Sequence, residues 1–295
     1  MYLESFFEAY NQLNENKIID FSEVIYTRFQ IAFQPIVNIV TGEIYAYEAL
    51  VRGENGESAI DIISKIPAHQ LYRFDQTCRV LAIETAVNLG INCKLSINFF
   101  PNAIYNTTTC ISMTLAAAKH FNFPLENIIL ENSETEKIVD YDKIKEVVSL
   151  YKQTGVLTAI DDFGAGYAGL GLLANFKPNI IKLDVDLIRT IDSDNIRLAI
   201  VEGIVRTCDL IDIKLIAEGV ETIDQYKALN ASGITLMQGY LLAKPVIGKL
   251  VTVNLASIIL GNAVEAYKLC ELDFDFDFNL TTNDDCYETI LESNS

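Results

Sequence analysis

Apolar residues recur along this chain in two rhythms. Short apolar runs bounded by turn residues fall at 29–37, 43–51, 94–98, 127–131, 157–160, 179–184, 214–217 and 235–240, and they predict strands. Between the later ones, apolar positions repeat at helical spacing over 71–89, 109–121, 140–153, 193–210 and 222–230, with Gly90 and Gly155 as stop signals. Thr41-Gly42 turns the first strand back on the second, so the series opens as an antiparallel hairpin. Strands then alternate with helices. The expected fold class is α/β, a modified TIM-type (β/α)8 barrel.

The flanks read differently. Leu3, Phe6, Phe7, Tyr10 and Leu13 lie at helical spacing. Residues 246–266 can hold one or two closing helices. From Asp273 to Phe278, Asp and Phe alternate, which fits an edge element followed by disorder. The expected organisation is a helical extension over 1–28, the barrel over 29–248, and a C-terminal helix with an acidic tail over 249–295.

Polar residues stand at or near the ends of seven successive strands: Glu48, Asn98, Glu131, Asp161 with Asp162, Lys182, Glu218 and Gln238. The carboxyl ends of barrel strands are where active sites form. Neighbouring strand residues point to opposite faces, so Asp161 and Asp162 converge only if the backbone bends, and the glycines at 164, 166 and 169 permit a bend. Taken singly each position has a dull explanation: a solvated turn, a loop cap, a lysine paired with an acid. Taken together, five carboxylates around one mouth repel unless cations lie between them. Oxygen donors without histidine select magnesium or manganese over zinc. Both histidines, His69 and His120, sit in helical regions as packing or surface residues. Paired metals suit phosphoryl displacement. A magnesium-dependent enolisation barrel would use a similar acid set.

Composition narrows the partners. The 295 residues are 50% hydrophobic and carry a formal net charge of −18, which speaks against a sequence-independent grip on duplex nucleic acid. No run is long enough for a membrane span, the acidic amino end has no basic leader region, and six scattered cysteines form no C-x-x-C pair. The expected location is cytoplasmic.

The ordered series Glu48-Ala49-Leu50 with Gln34-Pro35 and Arg52, Ile97-Asn98, Glu131-Asn132-Ser133-Glu134, Asp161-Asp162-Phe163-Gly164-Ala165-Gly166-Tyr167, Ile181-Lys182-Leu183-Asp184, Ala217-Glu218-Gly219-Val220-Glu221 and Gln238-Gly239-Tyr240 resembles the EAL-domain family of cyclic-di-GMP phosphodiesterases. The likeness is greatest to EAL portions linked to blue-light sensors. The resemblance implies a barrel whose first strand is antiparallel, and hydrolysis of cyclic-di-GMP to linear pGpG by in-line attack of an activated water. It implies two divalent cations, Mg2+ or Mn2+, with Ca2+ inhibitory. Glu48, Asn98, Glu131 and Asp161 would hold one ion, and Asp161, Asp162 and Glu218 the other. Lys182 would hydrogen-bond the water, and Glu48, Glu218 and Gln238 would complete the catalytic set. Gln34, Leu50, Arg52 and Asp184 would bind substrate. Glu134 and Glu221 would support the ligands from behind, Glu134 by anchoring the glycine loop. A homodimer is implied, with Leu172, Leu173 and Phe176 offering apolar contacts. The competing reading is a silent cyclic-di-GMP receptor or protein-binding module, but such members lose acids that this sequence keeps.

Overall fold

The structure is a computed structural model that describes residues 29–100, 107–133, 141–166, 171, 173–174 and 177–261. The expected amino-terminal helix, the Asp-Phe tail, Glu134, Leu172 and Phe176 lie outside the described residues. The chain divides into two compact units, residues 1–255 and 256–295. Of the second, residues 256–261 are described, and they are helical.

In the first unit, β1 (Phe29–Asn38) and β2 (Ile44–Gly53) form the expected hairpin, with Gln34 opposite Glu48. Gly42 turns it at φ +75°, a backbone region open to glycine. From β2 onward the strands pair in parallel: β3 (Lys94–Asn98), β4 (Ile128–Ser133), β5 (Leu157–Phe163), β6 (Ile180–Leu183), β7 (Lys214–Ala217) and β8 (Leu236–Met237). β1 then pairs antiparallel with β8 through Val37 and Asn38, and the ring of eight closes. The barrel with its reversed first strand is therefore the observed fold.

The stretch after residue 245 differs from the helices expected there. Val246 and Ile247 form a short ninth strand on β1, opposite Phe33 and Ala32. β8 covers only the last residues of β1, which leaves the rest of that edge with unpaired backbone groups. Two β-branched residues take it up, and the helix starts only at residue 255.

Helices Leu71–Asn88, Thr107–His120, Tyr141–Thr154, Asn195–Ile211 and Ile223–Ala231 follow the expected spans within two residues. Their starts are chemically marked. Asp194 accepts from the amides of Ile196 and Arg197, and Thr222 forms a capping box with Gln225. Inside the ring, Ile36, Ala46, Ile129, Ala159, Ile180, Ile216 and Leu236 form one buried apolar layer, a residue from each of seven strands.

Candidate active site

The polar residues are the next layer of the same barrel. Side chains two apart on a strand share a face. Stepping two residues from Ala46, Ile129, Ala159, Ile180, Ile216 and Leu236 gives Glu48, Glu131, Asp161, Lys182, Glu218 and Gln238. On β1, which runs the other way, the step is backward, from Ile36 to Gln34. An apolar floor thus lies directly beneath a polar layer at the carboxyl ends of the parallel strands.

Lys182 is fully buried at the centre of that layer. Its Nζ lies 2.6 Å from Glu218 Oε1, 3.0 Å from Glu131 Oε2, 3.1 Å from Asp161 Oδ1 and 3.5 Å from Glu48 Oε2. Gln238 Nε2 donates to Glu48 Oε2 at 2.6 Å and to Gln34 Oε1 at 3.1 Å, and Gln34 Nε2 donates to the Ala243 carbonyl. Asn98 Nδ2 donates to Glu48 Oε1 at 3.1 Å, and the Ser96 hydroxyl donates to Glu131.

Asp162 reaches the site by a local twist of its own backbone. Its φ is +55°, in the left-handed region that Asp tolerates better than most residues, and the β5–β6 register shifts there. The bend lies on the aspartate itself, ahead of the glycines expected to supply it. Ser133 donates to Asp162 Oδ2 at 2.8 Å and fixes the turned carboxylate. Oxygens of Glu48, Glu131 and Asp161 lie within 4.8 Å of one another, as do those of Asp161, Asp162 and Glu218. The two triads share Asp161.

Five carboxylates face one ammonium, a formal balance of −4 that two divalent ions would cancel. Burial pushes the Glu131 carboxyl up to about 8; Lys182 opposes the shift, and repulsion from Glu48 and Asp161 adds to it. Burial and the charge of Asp161 hold Glu218 well above the carboxylate range and raise Asp162 too. Burial would lower Lys182, but the four surrounding carboxylates outweigh it and hold its ammonium well above the ordinary value. At Asp161 burial would raise the carboxyl, but the charge of Lys182 and hydrogen bonds from Glu218, Lys182 and the Asp162 amide together outweigh it and keep that carboxyl low. Gln238 Oε1 is buried and accepts no hydrogen bond, and Asp161 Oδ1 is buried against the Lys182 ammonium. Buried oxygen donors in an anionic cluster with one cation fit hard divalent ions.

These shifts predict an inverted pH profile in excess chelator. A carboxyl raised on folding stabilises the fold while protonated, and that contribution is lost as pH rises through the folded value. Glu131, Glu218 and Asp162 shift in that sense, while Lys182 and Asp161 shift so that both stay charged from about pH 5 to about pH 8. The unfolding midpoint in EDTA should therefore fall by about 5 °C or more between those pH values, and Mn2+ should flatten the slope. A flat profile in EDTA would contradict the assigned electrostatics.

A cleft of about 420 Å³ opens beside the acids, walled by Leu50, Ile63, Phe74 and Phe100, with Glu48 and Asp161 at its polar end. Other expected residues land less centrally. Arg52 is half-buried and donates to the Val51 carbonyl at 2.7 Å. Asp184 is buried and caps the short helix Val185–Ile188, accepting from Asp186 N. Glu221 is exposed, and its backbone amide, not its carboxylate, is engaged by Gln225. Leu173, expected at a dimer contact, is buried within this chain. His69 lies in a short 3-10 turn, and His120 ends a helix edge-on to Phe121, both away from the acids. Ser96 and Ser133 were missed by the sequence reading. Strand parity carries their signal, since each is two residues from a site residue, Asn98 or Glu131.

Residues 22–245 match the EAL domain family. Among curated proteins of Escherichia coli K12, the chain is similar to the blue light- and temperature-regulated antirepressor BluF, at 35% identity over 72% of this chain and 53% of BluF. It is also similar to the cyclic di-GMP phosphodiesterase PdeR, at 30% identity over 69% of this chain and 32% of PdeR. The chain thus spans about half or less of these relatives' length. Among solved structures, a standalone versatile EAL protein from Vibrio cholerae O395 in its c-di-GMP-bound form superposes with a TM-score of 0.75, at 50% identity over 77% of this chain and 96% of that one. The manganese and cyclic di-GMP complex of Klebsiella pneumoniae BlrP1 gives 0.72, at 34% identity over 74% of this chain and 56% of that one.

Proposed function

The chain belongs to the EAL domain family, and from that membership we propose that it is a metal-dependent phosphodiesterase opening cyclic di-GMP to linear pGpG. The observation that carries this reading is the pair of carboxylate triads joined at Asp161 around a buried lysine. It is supported by the phosphodiesterase activity in the name of PdeR and the cyclic dinucleotide and manganese in the neighbouring structures.

Glu48, Asn98, Glu131 and Asp161 would hold one divalent ion, and Asp161, Asp162 and Glu218 a second. Such ions supply Lewis acidity at the phosphoryl oxygens and neutralise the acids that hold them. Water adds in line to one phosphorus, one phosphodiester P–O bond breaks, and the second ester stays closed, which leaves pGpG. Lys182 donates a hydrogen bond to that water and offsets part of the charge of the surrounding carboxylates. Gln238 is fixed by Gln34 and Glu48 through its Nε2 and keeps a buried Oε1 that accepts no hydrogen bond. Arg52 and Gln34 bind substrate at the rim, with Leu50 and the apolar wall against the bases. In this reading 29–248 is the catalytic unit, acting in the cytoplasm as a homodimer, and 1–28 and 249–295 flank it. Among the described residues no helix is long and apolar enough to cross a membrane.

BluF, named an antirepressor, favours a second reading: a module that binds a partner and leaves the dinucleotide intact. The acid set argues against it, since binding alone does not need two metal-spaced triads. Incubation of the purified chain with cyclic di-GMP separates the two. The hydrolase reading expects pGpG with Mg2+ or Mn2+, none in EDTA, and inhibition by Ca2+, whose bonds are longer and geometry looser. Bound but unchanged dinucleotide in Mn2+ would establish the binding module.

A further inference from the structure

Outside the ring of strands, Asp75 and Arg79 sit one turn apart on the Leu71–Asn88 helix, and both are buried. The Arg79 guanidinium donates to Asp75 Oδ2 at 2.7 Å, to Thr114 Oγ1 at 2.8 Å and to the Tyr151 hydroxyl at 2.9 Å. Those last two partners belong to the Thr107–His120 and Tyr141–Thr154 helices, so one guanidinium joins three helices of the outer layer. A buried ion pair is a weak source of stability, because well-packed apolar residues of similar volume often do as well. Stability alone does not account for this one.

The other oxygen of Asp75 points elsewhere. Oδ1 accepts from the backbone amide of Phe100 at 3.0 Å, two residues beyond Asn98. The amide between them, Phe99 N, donates to the Glu131 carbonyl at 3.0 Å. Two consecutive amides behind Asn98 are thus held, one by the adjacent strand and one by the helical layer. Asn98 is the exposed member of the donor set, and its side chain reaches inward to Glu48. With little packing around that side chain, its direction is set by the backbone behind it. Asp75 also lines the cleft beside Glu48, Asn98 and Asp161.

We infer that Asp75 is a positioning residue: its carboxylate, held by Arg79, fixes the Phe100 amide and thereby sets the reach of Asn98 toward Glu48. The inference rests on the reading that Glu48 and Asn98 share a divalent ion. It ascribes to a helix in the outer layer part of the geometry of a metal site inside the barrel.

The test uses the full chain, Mn2+ alone as the calorimetric probe, and kcat and KM measured separately. The Asp75→Leu/Arg79→Met pair removes the tie and leaves no unpaired buried charge. The Asp75→Asn/Arg79→Gln pair keeps an acceptor facing Phe100 in a neutral network. Loss of an outer partner of a metal ligand typically weakens metal binding by about 10–100-fold, and the apolar pair should fall in that range. Its kcat should drop in step while KM stays near the parent's, and the neutral pair should recover most of both. If the apolar pair does not fold, Asp75→Ala/Arg79→Gln, which differs from the neutral pair only in lacking the acceptor, reads the same loss. Mn2+ titrations of the acceptor-less variants that overlay the parent's overturn the inference, and so does an equal loss in the neutral pair. A parent chain that takes up no Mn2+ shows instead that the metal reading itself has failed.

Discussion

Asp161→Asn is expected to cut hydrolysis of cyclic di-GMP by on the order of a thousandfold or more, with the fold intact. Asp161 is the one carboxylate common to both triads, so the substitution weakens the grip on two ions at once. An ion's stabilisation of transition-state charge is worth several kcal/mol, and about 1.4 kcal/mol is a factor of ten in rate. The amide has nearly the shape of the carboxylate, and it relieves repulsion on Glu131, Glu218 and Asp162, whose carboxyls are raised partly by Asp161. That relief offsets the lost pairing of Asp161 with Lys182, so the unfolding midpoint in EDTA should change little while turnover collapses. Turnover within tenfold of the parent's at saturating Mn2+ would show that Asp161 does not bridge the two triads.

Lys182→Met is expected to have the opposite balance, a large loss of stability that metal restores. The Lys182 ammonium has no exposure and lies within 3.5 Å of four carboxylates. Methionine matches its stem over the apolar floor and leaves those acids without their cation. Breaking a buried pair from one side costs about 3–5 kcal/mol. The loss should appear in urea unfolding at about pH 8 in EDTA and shrink when Mn2+ is added, because ions at the triads supply the missing charge. Activity should fall too and not return with metal, since the hydrogen bond proposed from Lys182 to the attacking water would be lost. Equal midpoints for parent and variant in EDTA would remove Lys182 from its electrostatic role.

Much of this site is written in strand parity. Six site residues on the parallel strands follow a small or branched apolar residue by two positions, as in Ala46–Glu48, Ile129–Glu131 and Ile216–Glu218, and that spacing stacks a polar layer on an apolar one. What parity cannot register is a residue that leaves it. Asp162 should face away from Asp161 on a regular strand; its positive φ and its bond to Ser133 bring it round. The ninth strand was hidden for another reason. Val246 and Ile247 are too few for a pattern, and their state is decided by the open edge of β1. Asp75 and Arg79 were hidden by a spacing that usually means a solvated helix face. Only packing against two further helices turns that pair inward.

The reversed first strand also governs wiring. Phe29 pairs with Gly53 and so stands at the rim where the parallel strands finish, whereas a fully parallel barrel begins at its floor. Phe29 packs edge-on against Phe74 of the cleft wall, with ring centroids 5.1 Å apart. One change of strand direction thus places the first residue of the ring against the wall of the site, so the barrel's entry point and its mouth share one end of the molecule.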